Sequence, residues 1–176
     1  MGIRDRGKRP EKMLVLDYAQ SMPPTLVARH LDDLRDFQKK HGSVVVKPLH
    51  GNGGKAIFRI DKHGTNLSAL SEVFDQTWPE PHMVQPFLPE VSEGDKRIVL
   101  VDGEFAGAIN RFPGEGEFRS NLAQGDPAEA TTLTAREAEI CAAIAPVLQR
   151  RGLVFVGIDV SGGEWVTDAS VTPPTG

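Results

Sequence analysis

Two stretches of this chain carry side chains whose types and spacing can do chemistry. The apolar run Val44-Val45-Val46-Lys47-Pro48-Leu49 leads into His50-Gly51-Asn52-Gly53-Gly54-Lys55, a strand with a lysine near its end and a glycine loop behind it. Further on, Asp159 precedes a Gly162-Gly163 pair, and Asp168 and Ser170 follow it. Glycines let backbone N–H groups approach phosphate oxygens because no Cβ stands in the way. Lys47 or Lys55 adds a point charge for the same oxygens. Oxygen ligands gathered on one sheet face suit magnesium, which takes them at about 2.0–2.1 Å. A phosphate tail with its divalent cation is the chemistry to which both stretches point.

Neither stretch is unique to that chemistry. The glycine loop is not the G-x-x-x-x-G-K-[ST] phosphate loop, and a strand rather than a helix follows it, which excludes the dinucleotide fingerprint. Taken alone, it reads equally as a hairpin turn with Lys47 extending from a sheet edge. If Gly162-Gly163 centre a two-residue hairpin, Ser161 faces Glu164 and Asp159 faces Val166. Side-chain alternation then sets Val166, Asp168 and Ser170 on the face of Asp159, with Asp168 diagonal to it at about 7–8 Å. Asp159 closes the apolar run Leu153–Ile158, an odd place for an unpartnered charge. The plain alternative is a strand-end Asp159 and a solvated Asp168.

Basic groups near these stretches are Arg97, Arg111 and Arg119. A plain Asp102-Gly103 hairpin sets Arg97 opposite Ala108, and parity puts Arg111 on the other face. For both to meet one anion, a bulge is needed, with Gly107 its expected place. Arg119 falls in a stretch that reads as a mobile loop and is a candidate lid residue.

The elements around these groups follow from local pattern. Residues 10–19 read as a short helix and Thr25 to Arg29 as a strand. Leu31, Leu34 and Phe37 recur at helical spacing, with a stop at Gly42. Strands are expected over 43–49, 56–60 and 82–88, with a helix over 66–77. Pro86 implies an edge or a crossing between lobes. Asp102-Gly103 joins strands over 96–101 and 104–111, and residues 112–130 read as a surface loop. Thr134-Ala135-Arg136-Glu137 is a capping box opening a helix that Pro146 should kink and Gly152 should stop. Strands over 153–160 and 165–171 close the chain. The fold class is α+β, with antiparallel hairpins.

Composition narrows the function classes. The chain has 176 residues, 39% hydrophobic and 25% charged, and a net charge of −4 that argues against a general nucleic-acid binder. No apolar run approaches the ~20 residues of a membrane span, and no secretory signal is expected. The single cysteine, Cys141, forbids an internal disulfide, favours a reducing cytoplasm, and falls within a helical pattern as a packing residue.

Several motifs in order resemble one family. Val46-Lys47-Pro48-Leu49 with its Gly-x-Gly-Gly loop, Met83-Val84-Gln85-Pro86-Phe87-Leu88-Pro89, and Gly94-Asp95-Lys96-Arg97 come first. Arg119-Ser120-Asn121-Leu122-Ala123, the run Gly152–Asp159, and Val171-Thr172-Pro173-Pro174-Thr175-Gly176 follow. From about Glu11 onward the chain resembles the prokaryotic glutathione synthetases of the ATP-grasp superfamily.

The resemblance implies an ATP-grasp fold of two α+β lobes clamping ATP, here residues 1–86 and 87–176. It implies ligation of γ-glutamylcysteine to glycine through an acylphosphate. By position, Lys12 and Lys47 would hold ATP phosphates under the loop Gly51, Asn52, Gly53 and Gly54. Gln85, Pro86, Phe87 and Leu88 would run beside adenine. Arg97, Arg111 and Arg119 would act on the reacting groups. Asp159, Asp168 and Ser170 stand at the positions of ligands for two magnesium ions, with manganese as a substitute. The expected partners are the two small substrates, with neither nucleic acid nor membrane. A homo-oligomer or a separate chain carrying the family's N-terminal peptide-binding domain is also open.

The chain departs from the family pattern in three ways. The family's Glu-x-Asn cluster is Asp168-Ala169-Ser170 here, which should lower metal affinity. The N-terminal domain is absent, and the chain stops where family members continue, so a fragment or truncated relative is expected. Two rival readings are a non-catalytic ATP- and magnesium-binding remnant and an ATP-grasp ligase for another substrate.

Overall fold

The computed structural model describes residues 18–49, 56–77, 80–118 and 127–171. Lys12, Gly51, Asn52, Gly53, Gly54 and Arg119 lie outside the described residues, as does most of the helix expected over 10–19. The chain divides into two compact units. One is Pro23–Phe87, and the other joins residues 18–22 to the chain from Leu88 onward.

The first unit contains β1 (Leu26–Ala28), α1 (Leu31–His41), β2 (Val44–Pro48), β3 (Phe58–Ile60), α2 (Leu67–Thr77) and β4 (His82–Pro86). Its strands form an antiparallel sheet in the order β1-β4-β2-β3. Helix α1 carries Asp32 and Asp33 in its first turn and Lys39 and Lys40 in its last, both favourable to the helix dipole. Gly42 ends it at φ 78°, its N–H donating to Gln38 O at 2.8 Å. Val44, Val46 and Val84 are at most 1% exposed and share a core with Leu34, Leu67, Leu70 and Phe74 of the helices. Alternation therefore turns Val45, Lys47, Met83 and Gln85 to the opposite face.

Of the two expectations for Pro86, the edge is overturned, because β4 is an interior strand, while the crossing stands, because the chain passes from one unit to the other after Phe87. Pairing with β1 ends at Val84, so at Pro86 the strand has only β2 beside it. That half-open position tolerates a residue without an N–H.

The second unit contains a 3₁₀ turn (Pro89–Glu93), β5 (Asp95–Val101), β6 (Glu104–Arg111), β7 (Ala128–Thr131), α3 (Ala135–Arg150), β8 (Phe155–Ser161) and β9 (Trp165–Ser170). The antiparallel order is β7-β6-β5-β8-β9, with β5 in the middle. Asp102 and Gly103 turn the chain at φ 53° and 81°, the positive pair that a two-residue hairpin requires. Strand β7 falls in a stretch expected to be loop. Its sequence, Ala-Glu-Ala-Thr, is mostly exposed and has no apolar alternation to announce it.

The capping box forms as expected. Thr134 Oγ1 accepts from Glu137 N at 3.2 Å, and Glu137 Oε2 accepts from Thr134 N at 2.7 Å. That same oxygen accepts from Lys96 Nζ at 2.7 Å, and Lys96 also donates to Thr132 O at 3.0 Å. The start of α3 is thereby tied to β5 through an ion pair between the buried Glu137 and the partly buried Lys96. Pro146 lies inside α3 without ending it. Ile140, Ile144 and Leu148 of α3 are buried, as are Ile98, Leu100 and Ile158 of the sheet.

Two substitutions separate the cap from the ion pair. Thr134→Ala should cost about 1 kcal/mol of unfolding free energy, whereas Glu137→Ala takes the carboxylate from the partly buried Lys96 and should cost about 3–5 kcal/mol. Urea denaturation measures both, and equal losses would contradict the role given to Lys96.

Candidate functional site

Strand β5 alternates cleanly. Lys96, Ile98 and Leu100 face α3, and Asp95, Arg97 and Val99 face the other way. Its neighbours extend the second face into three rows that cross the sheet. Arg111, Asp95, Ser161 and Trp165 are consecutive cross-strand partners in the first row. Ile109, Arg97, Asp159 and Asp168 form the second, and Gly107, Val99, Gly157 and Ser170 the third. Five of the residues singled out in the sequence, Arg97, Arg111, Asp159, Asp168 and Ser170, thus share one face.

Two bulges create this arrangement. Between Val99 and Leu100 the pairing of β5 jumps from Gly107 to Phe105, which leaves Ala106 unpaired. This is the bulge needed to bring Arg111 round to the face of Arg97, one residue before the expected Gly107. Between Asp159 and Val160 the pairing of β8 jumps from Asp168 to Val166, leaving Thr167 unpaired. The Gly162-Gly163 hairpin therefore differs from the simple register. Ser161 pairs with Trp165 rather than Glu164, and Asp168 lies directly across from Asp159 rather than diagonal to it. Val166 pairs with Val160 and moves to the opposite face. The shared face of Asp159, Asp168 and Ser170 results from the bulge.

The charges on this face are paired to one another. Arg97 grips both oxygens of Asp159 through Nε and Nη2, with Nη2 to Oδ2 at 2.8 Å. Arg111 Nη2 meets Asp159 Oδ1 at 2.8 Å and also the Asp95 carboxylate. Arg111 Nε donates to the Asp95 carbonyl at 3.4 Å, and Ser161 Oγ donates to Asp95 Oδ1 at 2.9 Å. Asp168 Oδ1 accepts from Ala169 N at 2.9 Å. Arg97 passes over Gly157, where a Cβ would meet Arg97 Cδ at 3.1 Å and Ser170 Oγ at 3.3 Å.

These contacts set the protonation states. Burial opposes charge on Asp159, but Arg97 and Arg111 outweigh it and hold its carboxyl below the usual range. For Asp95, burial and the Asp159 charge push upward against Arg111 and Ser161, and the net direction is up. Burial also opposes charge on Arg97 and Arg111, yet the carboxylates raise both further above their ordinary value. Cys141 stays apart from this chemistry, since burial and the Glu137 charge push its thiol up to about 11.

The first unit positions a second set. Lys47 is 7% exposed and Gln85 2%, on the sheet face away from α1 and α2. Gln85 Nε2 donates to Thr25 Oγ1 at 3.1 Å. Phe87 N donates to Ser43 O at 2.8 Å, so that amide serves the sheet, and the Arg59 guanidinium lies 3.8 Å over the Phe87 ring. Leu88 O accepts from Val91 N at 3.2 Å. Pro86 turns to the helix side.

The donor set fits a hard divalent cation. Asp159 and Asp168 face each other, and Ser170 adds a hydroxyl one alternation further along. Among the described residues, no group of three or more His, Cys, Asp or Glu side chains has the arrangement to hold a metal. Magnesium needs no such cage, since one or two carboxylates with substrate phosphates and water suffice. Among the described residues, no helix is long and apolar enough to cross a membrane.

Sequence reading did not assign roles to Asp95, Ser161 or Gly157. Period-two spacing from Arg97 marks Asp95 as a same-face residue. Its partners depend on the bulge at Ala106, one residue from the place that Gly107 marks.

The fold defines an ATP-grasp protein. D-cycloserine synthetase DcsG superposes with a TM-score of 0.74 at 19% identity, covering 94% of this chain and 63% of that one. D-alanine–D-alanine ligase from Bacillus anthracis, complexed with ATP, superposes with a TM-score of 0.62 at 17% identity, covering 93% and 54%. Residues 11–176 match the family model for the prokaryotic glutathione synthetase ATP-grasp domain, and the chain belongs to that family. A glutathione synthetase of Bradyrhizobium diazoefficiens is 53% identical over 167 residues, 95% of this chain and 53% of that protein. One from Synechocystis sp. is 50% identical over 175 residues, 99% and 53%. The chain spans about half the length of the curated relatives it matches.

Asp159→Asn removes the shared partner of a buried and a partly buried guanidinium, Arg111 and Arg97, and should destabilise the protein by about 3–5 kcal/mol at pH 7. Because the folded carboxyl titrates below its unfolded value of ~3.9, its contribution is present above that pH. It is lost as pH falls through the folded pKa, so the gap between wild type and variant should begin to narrow below about pH 4. Chemical denaturation at pH 7 and pH 3 measures it, and a constant gap would contradict the pairing. Gly157→Ala, which crowds Arg97, should cost about 1–3 kcal/mol in the same assay.

Proposed function

We propose that this chain is the nucleotide-handling part of an ATP-dependent carboxylate–amine ligase of the glutathione synthetase type. The observation that carries the reading is the gathering of Arg97, Arg111, Asp159, Asp168 and Ser170 on one sheet face by two bulges. The matched family and relatives at 50–53% identity support the substrate class: γ-glutamylcysteine as carboxylate and glycine as amine.

In this reading Arg97 and Arg111 stabilise charge on the transferring phosphoryl group and on the acylphosphate. Lys47 binds phosphate as a point charge, Gln85 to Leu88 run beside the adenine, and the glycines of 51–54 cover the phosphates. Asp159, Asp168 and Ser170 would hold two magnesium ions, which when bound neutralise phosphate charge. Any cation at Asp159 shares a carboxylate that already accepts from two guanidiniums. Catalysis comes from positioning and electrostatics, without a protein nucleophile. The reducing cytoplasm suits the lone, buried Cys141.

Calorimetric titration with ATP and magnesium tests the nucleotide part. Lys47→Ala should weaken binding about tenfold or more; unchanged affinity would remove Lys47 from the site. ADP release that needs both γ-glutamylcysteine and glycine tests the ligase part. Binding without any such release at millimolar substrate would reduce the chain to a nucleotide-binding remnant.

A further inference from the structure

His82 is the first residue of β4 and stands opposite Ala28 of β1 and Pro48 of β2. Strand parity turns it, with Val84, toward the helices. There its ring lies flat on Phe74 of α2, with centroids 3.8 Å apart and planes 11° from parallel. Phe58 of β3 meets the same Phe74 ring edge-on at 5.6 Å. His82 is 3% exposed, and its Nε2 is buried without a hydrogen-bond partner among the described residues.

Such a site favours one protonation state. Neutral, with its proton on Nδ1, the ring leaves only a bare lone pair at Nε2. Protonated, it carries a charged N–H there with nothing to accept it, which is the costlier omission. Attraction of an imidazolium to the Phe74 face offsets part of that cost. Two carboxylates act in the same sense: Glu80, two residues earlier, and Asp75, next to Phe74 on α2. The residues that other elements bring to this side, Ala28, Pro48, Phe58 and Leu34, carry no charge. Lys47 turns to the opposite face, and Arg29 is exposed. Burial outweighs both carboxylates, and the net direction for His82 is down.

We propose that His82 is a proton-sensitive latch on the first unit. Neutral, it seats the start of β4 on α2. Protonated, it leaves Phe74 for water and loosens the end of the sheet where His82 and Met83 pair with Pro48 and Lys47. A folded pKa below the unfolded value of ~6.5 means that the unfolded chain binds more protons, so stability falls as pH drops below that value. The consequence for ligand binding rests on the nucleotide reading above: Lys47 is held less firmly, and affinity for ATP declines in acid.

The test is a histidine-ring titration of the whole chain by nuclear magnetic resonance, with urea denaturation at about pH 7.5 and about pH 5.5. His82→Phe keeps the stack, cannot take a proton, and assigns the His82 signal by its loss. Titration of His82 below ~6.5, moved further down by Asp75→Asn, together with a larger acid loss of urea midpoint in wild type than in His82→Phe, supports the latch. A His82 pKa at or above ~6.5, or equal acid losses in both proteins, overturns it. Calorimetry with ATP and magnesium at the same two pH values separates the two claims. An acid loss of affinity confined to wild type supports the link to Lys47, and an equal loss in both proteins overturns that link. Absence of ATP binding at either pH defeats the nucleotide reading and leaves the latch to be decided by titration and denaturation. Should His82→Phe not fold, His82→Gln serves the same comparison.

Discussion

Asp159 is the carboxylate around which one face of the five-stranded sheet is organised. It follows the apolar run of β8, is 7% exposed, and is kept charged there by contact with two guanidiniums. A buried charge without such partners would neutralise or unfold the segment around it. Arg97 supplies the bidentate grip and Arg111 a second contact, and each of these is itself desolvated. Removing Asp159 takes a partner from both guanidiniums at once. The cluster is therefore a unit, and its geometry is fixed by the backbone that delivers it.

The backbone achieves this through irregularity. In a regular antiparallel ladder with the Asp102-Gly103 turn, Arg97 and Arg111 would lie on opposite faces. The unpaired Ala106 reverses parity beyond it and joins them. The unpaired Thr167 has the same effect on β9, setting Asp168 opposite Asp159 while returning Val166 to the buried side. The reverse face uses a different device. Lys96, between Asp95 and Arg97, turns toward α3 and is bonded to Glu137, which also caps that helix. Successive residues of one strand thus serve a charged face, a helix terminus, and the charged face again.

Where local chemistry decides structure, the sequence was readable. The positive-φ demand of Asp102-Gly103, the Thr134–Glu137 box and the glycine stop at 42 act within a few residues, and each appears as expected. The central strands were visible from apolar runs. Strand β7 was missed because Ala128–Thr131 forms at an exposed edge, where partner hydrogen bonds rather than burial define a strand. Asp159, Asp168 and Ser170 were correctly grouped, but for an incorrect reason, since the register was off by the one residue that the bulge absorbs. The part played by Asp95 was hidden entirely, because it depends on which side chains two neighbouring strands bring alongside.

Electron paramagnetic resonance of manganese, titrated into the chain with ATP, tests most directly whether this face handles a metal-bound phosphate. The expected result is protein-bound manganese whose affinity falls about tenfold or more in Asp168→Ala and is unchanged in Asp61→Ala, a carboxylate of the other unit. Equal affinity in wild type and Asp168→Ala, or no bound manganese in either, would contradict it.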